Sequence, residues 1–130
     1  MAQKEIEVIL ARQLAEYLVL PIFIVYPNGA LLYYNESAEA ILGSRYDETG
    51  PMSANQLAGI FRTVDQEGRP MKSDDLPLVK ALVRRQPAHG SMWIEALDGG
   101  LRKIAVTAFP IIGQANRFLG AIAIFWEVPK

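Results

Sequence analysis

Residues Ile22 to Gly43, IFIVYPNGALLYYNESAEAILG, decide the fold. Ile22–Tyr26 is a β-branched and aromatic run, which suits a strand. Pro27-Asn28-Gly29 is turn chemistry: Pro fixes φ, while Asn and Gly tolerate positive φ. Ala30–Tyr34 is a second apolar run that ends in two aromatic residues. Asn35 follows at an N-cap position, where its side-chain oxygen can accept from the amide of Ser37 or Ala38. Glu36 and Glu39 lie in the first turns, where negative charge suits the helix dipole. Ala38, Ile41 and Leu42 recur at helical spacing, and Gly43 is a good residue to end the helix. A hairpin that runs straight into a short capped helix folds that helix back over one face of its sheet.

Outward from this stretch, residues 3–20 read as a helix. Ile6, Leu10, Leu14 and Leu18 are spaced by four, with Ile9 and Tyr17 beside them, and Pro21 ends the pattern. Ile6, Leu10, Leu14, Tyr17 and Leu18 are therefore expected either to cover the sheet or to meet the same helix of a second copy. Ser44–Met71 is broken by Gly50-Pro51, Gly59, Gly68 and Arg69-Pro70, so its elements must be short. Ala54–Phe61 is expected to form a turn or two of helix, and Asp65–Gly68 a turn. Ser73–Arg85 reads as a second helix, capped by Ser73, Asp74 or Asp75, with Pro77 in the first turn and Leu78, Val79, Leu82 and Val83 as its apolar face. Three strands are expected after it: Met92–Leu97, Leu101–Ile112 and Phe118–Val128, joined by turns at Asp98–Gly100 and Gly113–Arg117. They are apolar on both faces, so both faces are covered or one meets a partner.

Bulk properties narrow the function. A chain of 130 residues suits one domain, and 51% hydrophobic with 21% charged residues supports a buried core. A formal net charge of −1 with both signs scattered gives no basic surface for nucleic acid. The chain has no cysteine, which excludes disulfides, thiolate nucleophiles and Cys-ligated metals, and fits a cytoplasmic protein. The longest apolar run, Tyr17–Pro27, is shorter than the ~18 residues of a spanning helix. Neither a membrane span nor a secretory leader is expected.

These landmarks together resemble the PAS domain family of sensory modules. The resemblance is carried by Gly29, Tyr33, Tyr34, Asn35, Ala38, Leu42 and Gly43, then in order by Asp65–Gly68, Leu76-Pro77-Leu78, Ala81-Leu82, Asp98-Gly99, Pro110-Ile111 and Phe125–Val128. Tyr26 departs from it, standing where relatives have Asp. The resemblance implies an α+β domain: a five-stranded antiparallel sheet of order 2-1-5-4-3 with short helices on one face and a pocket beneath them. Residues 1–20 would be an N-terminal helix that caps or dimerises a domain of residues 21–128.

What such a domain could hold is constrained by residue type. Without cysteine, neither a covalent flavin adduct nor a thioester-linked chromophore can form. Haem is not expected, because the helix across the pocket carries no His and His89 falls in an apparent loop. Arg102 and Lys103 read as an exposed strand start and Arg84-Arg85 as a solvated helix end, which leaves no cation for a charged ligand. A non-covalent flavin stays open. The expected pocket is apolar, lined by Leu32, Tyr34, Ile41, Leu42, Leu57, Phe61, Leu78, Leu82, Ile104, Val106, Ile122, Ile124 and Trp126, with the polar tips of Tyr34 and Trp126 to orient a ligand. No catalytic constellation or metal site is seen, and Glu95 is the one midstrand carboxylate an enzyme could use. The expected function is a non-enzymatic sensory module of a signalling protein that binds a small apolar or unknown ligand, or forms a homodimer, or both, and relays to an output domain. The alternative is a ligand-free dimerisation module with a filled core.

Overall fold

The computed structural model describes residues 6–43, 50, 52–53, 62–95 and 100–128. Their order is α1 (Ile6–Tyr17), β1 (Ile22–Val25), β2 (Leu31–Tyr34), α2 (Glu36–Leu42), β3 (Arg62–Val64), α3 (Pro77–Arg84), β4 (Ala88–Glu95), β5 (Leu101–Ile112) and β6 (Phe118–Glu127). The strands form one antiparallel sheet of 6 strands in the order β2-β1-β6-β5-β4-β3. The expected order of five is present, and the difference is the three-residue edge strand β3. It pairs Thr63 with Ile94, and its length is too short for an apolar pattern to announce it.

The opening hairpin folds as its residues dictate. The Tyr26 amide donates to the Ala30 carbonyl at 2.8 Å, and the Asn28 side-chain oxygen accepts from the Ala30 amide at 3.0 Å. Asn35 caps α2 by accepting from the Ala38 amide at 3.1 Å, and Gly43 closes the helix with φ of 84°. The Asp65–Gly68 turn is likewise built as expected: one Asp65 oxygen accepts from the amides of Glu67 and Arg69, both at 2.9 Å.

Strand register sorts the side chains onto two faces. Phe23, Val25, Tyr34, Met92, Ile94, Ile104, Val106, Ala108, Ala121, Ala123 and Phe125 face α2 and α3 and form the main core. Phe23 and Tyr34 are stacked there, with ring centroids 5.9 Å apart. Ile22, Ile24, Leu32 and Ile111 face the other way, against Val8 and Ala15 of α1. Arg12 of α1 lies 4.5 Å over the Tyr33 ring on this outer face. The inner face is thus covered by α2 and α3, and part of the outer one by α1.

Three local expectations are corrected. The apolar seam of α1 is Val8 and Ala15, with Ala11 and Leu18 half-buried, rather than the Ile6–Leu10–Leu14 row. Small residues let the helix approach the sheet closely, which a row of Leu would prevent, and the helix ends at Tyr17, not Leu20. The segment Ser73–Arg85 is a 3₁₀ turn, Ser73–Asp75, followed by α3, whose N-cap is Leu76 with no side-chain bond. Pro77 is its first residue, and Val83 is exposed rather than part of the apolar face. His89 lies in β4, not in a loop, with its Nδ1 3.0 Å from the Thr107 Oγ1.

The β5–β6 turn carries strain that can be removed. Ala115 and Asn116 both have positive φ, 57° and 59°, the pattern of a type I′ turn that favours Asn-Gly. The double substitution Ala115→Asn, Asn116→Gly is expected to stabilise the protein by about 1 kcal/mol. Thermal melting would read this as a rise of roughly 4 °C or more.

Candidate functional site

The inner face of the sheet carries small residues where α2 and α3 pass over it. Ala108, Ala121 and Ala123 project there from β5 and β6, opposite Ala81 of α3. These small side chains let the helices pack closely on the sheet, and of the four Ala123 alone borders the cavity of about 790 Å³ that runs across the sheet beside them.

Phe23, Ala123, Phe125, Ile104, Val106, Met92 and Ile94 form its floor, in strand order from β1 to β4. Leu42 of α2 and Leu78, Val79 and Leu82 of α3 form the roof, joined by Met71 and Leu76. Among the described lining residues, the polar ones are Arg62, Thr63 and Glu95, all at the β3–β4 edge. Chemically the space suits an uncharged apolar body, since a buried charge would find no partner over most of its length.

The expected lining divides by face. Leu42, Leu78, Leu82, Ile104 and Val106 line the cavity. Tyr34 and Ile41 share the inner core but are packed away from the cavity, Tyr34 with no exposed surface. Leu32, Ile122 and Ile124 face α1 on the opposite side of the sheet, and Trp126, paired with Ala105 on that same face, is 43% exposed. In β6 the bulky alternate residues face outward and the alanines inward, the reverse of the expected phase. Leu57 and Phe61 lie outside the described residues. Phe23, Ala123 and Phe125 were not anticipated, although Gly120-Ala121-Ile122-Ala123 carries the signal: helices demand small residues on the face they cover.

Two side chains fix the roof. Asn35 is 1% exposed, and its Nδ2 donates to the Ala15 carbonyl at 2.9 Å and the Leu20 carbonyl at 2.8 Å. Its Oδ1 accepts from the Ile22 amide at 3.0 Å besides capping α2. At the other end of α2, Arg102 Nη1 donates to the Ala40 and Ile41 carbonyls at 3.0 and 2.7 Å. Its Nε lies 3.9 Å from a Glu127 oxygen. Arg102 is therefore not the exposed strand start its position implies: strand alternation puts it on the Ile94 face, beneath α2.

No family model matches the sequence, and no match is found among curated proteins. Solved structures do match. The PAS domain of nitrogen regulation protein NR(II) from Vibrio parahaemolyticus aligns with a TM-score of 0.64 at 21% identity, over 92% of this chain and 98% of that one. A PAS domain from a two-component sensor histidine kinase aligns with a TM-score of 0.62 at 13% identity, over 97% of this chain and 100% of that one.

The chain has the PAS fold.

A light-oxygen-voltage domain, whose structure was studied with a flavin analogue, shares this PAS fold with a TM-score of 0.66 at 13% identity, over 97% of this chain and 87% of that one. Within the fold the cavity described here lies between the inner face and its helices, while α1 stands on the outer face. Among the described residues, no helix is long and apolar enough to cross a membrane, and no cluster of metal-ligating side chains occurs.

Proposed function

We propose that this PAS domain is a non-enzymatic sensory module of a signalling protein, whose inner cavity takes a small apolar ligand. The observation that carries the reading is the cavity of about 790 Å³, whose described lining has an apolar floor and roof and polar residues at one edge only. A sensor histidine kinase among the similar structures supports the signalling context. A flavin fits poorly: the chain has no cysteine for an adduct, and the described lining offers no Asn or Gln to the polar edge of the ring. Glu95 is exposed rather than buried, which does not favour a catalytic role for it.

The test is titration with Nile red, a neutral apolar dye, followed by fluorescence. Saturable enhancement is expected with the unmodified protein. Ala123→Leu, which fills the floor between Phe23 and Phe125, is expected to weaken binding at least about tenfold, while far-ultraviolet circular dichroism stays unchanged. Equal binding by both proteins would remove the cavity as the site.

A second reading, homodimerisation through α1, is favoured by one observation. Ile6, Leu10, Leu14 and Tyr17 are 62%, 56%, 59% and 84% exposed, a row of large apolar side chains that the domain does not cover. Beside it runs an apolar groove of about 410 Å³ between α1 and Phe109–Ile112, Ile122 and Ile124 of the sheet. A second copy can bury the row in that groove. Sedimentation equilibrium is expected to give a dimer that Leu10→Glu with Leu14→Glu converts to monomer. A monomer without the substitutions would exclude the reading.

A further inference from the structure

We propose that α2 is a coupling element that links the cavity both to α1 on the opposite face and to the end of β6. The proposal draws on the ligand-site reading for what drives the coupling, but the coupling itself is a property of the folded chain. Leu42, in the last turn of α2, lines the cavity. The helix has only seven residues, too few to hold its own position, so its ends decide where it sits. Both ends are held by side chains that also bind other elements.

At the N-terminus, Asn35 joins three parts of the chain through one buried amide group. It holds the first turn of α2 through the Ala38 amide, the start of β1 through the Ile22 amide, and the end of α1 through the Ala15 and Leu20 carbonyls. At the C-terminus, Arg102 grips the Ala40 and Ile41 carbonyls and lies beside Glu127 at the end of β6. A buried polar group left unpaired forfeits its hydration with nothing in exchange. A tilt of α2 that follows pressure at Leu42 must therefore carry Asn35 with it, or exchange its partners. Either response alters the last turn of α1. The roof helix α3 lacks this arrangement: its N-cap makes no side-chain bond, and Arg85 at its other end rests over Phe118, on β6 rather than α1. The two helices contact the same cavity, but among the described residues the hydrogen bonds to α1 run from the cap of α2. A continuous chain of hydrogen bonds joins the two sites, and a ligand acts through it by preferring one position of α2.

The test needs no ligand. Leu42→Ala and Leu82→Ala each remove a cavity-lining side chain, one from α2 and one from α3. Amide exchange is followed at Leu18, whose N–H donates to the Leu14 carbonyl at 3.1 Å, with both variants compared at equal distance below their melting temperatures. Leu42→Ala is expected to speed exchange at Leu18 about tenfold, and Leu82→Ala less than about twofold. Leu42→Val gives the same contrast at smaller amplitude if Leu42→Ala does not fold. Equal effects from the two positions, or no effect from either, would overturn the proposal. Repeating the comparison with Nile red separates the two readings: a dye that fails to bind removes the ligand site, whereas the variants alone decide the coupling.

Discussion

Gly120→Ala is expected to cost the fold about 4 kcal/mol, a large part of the stability of a domain this size. Two costs add. Gly120 has φ of 135°, a backbone conformation that side chains with a Cβ rarely adopt, which accounts for about 1–3 kcal/mol. A Cβ at this position would also overlap the Val25 carbonyl oxygen across the β1–β6 pair. Backbone cannot move aside as a side chain can, so the clash contributes a further 1–3 kcal/mol or so. Gly68→Ala separates the costs. Gly68 has φ of 81°, but nothing lies within 4 Å of the site of its Cβ, so only the conformational term applies. Urea denaturation is expected to place the midpoint of Gly120→Ala well below that of Gly68→Ala. Equal midpoints would mean that the β1–β6 approach is looser than this.

Asn35→Ala is expected to cost a similar ~4 kcal/mol, for a different reason. The substitution removes the cap of α2, worth about 1 kcal/mol. It also leaves the Ile22 amide and the Ala15 and Leu20 carbonyls without the side-chain partner they share. Asn35→Asp tells the two contributions apart. The carboxylate keeps both accepted bonds but cannot donate, and it sets negative charge against two carbonyl oxygens. It is expected to be at least as damaging as Asn35→Ala in urea denaturation. A mild Asn35→Asp beside a severe Asn35→Ala would show that capping alone matters and that the tie to α1 carries little energy.

The sequence discloses this fold where local chemistry and tertiary demand coincide. Pro27-Asn28-Gly29, Asn35 and Gly43 each have one conformational role, so the first hairpin and α2 could be read from residues 22–43. Strand existence was equally legible from the long apolar runs in residues 101–128. Strand phase was not. Ile122 and Ile124 are bulkier than Ala121 and Ala123, yet the alanines face the main core, because α3 packs closely there while α1 accepts larger partners. Periodicity gives an alternation and leaves open which half of it a helix covers. The same ambiguity holds for α1: of the two roles open to its hydrophobic row, covering the sheet falls to Val8 and Ala15 instead, and the row itself is exposed. Arg102 reads as an exposed strand start because its partners, the Ala40 and Ile41 carbonyls, lie some sixty residues earlier in the chain. Of the cavity residues, Leu42, Leu78, Leu82, Ile104 and Val106 were legible, whereas Phe23, Ala123 and Phe125, fixed by β1 and β6 register, and Val79, Met92 and Ile94 were not.

The central position of β6 also governs how the protein reaches this structure. Ile22 pairs with Ile124 and Ile24 with Ile122, so the first strand of the sheet has no neighbour on that side until the last has been made. Until then β1 and β2 are a two-stranded hairpin, which is marginal in water. Such distant pairing raises contact order, and loop closure must come before the contacts that reward it. On a ribosome the hairpin of residues 22–34 waits through synthesis of nearly the whole chain, its apolar inner face uncovered, before β6 emerges to join the two halves of the sheet.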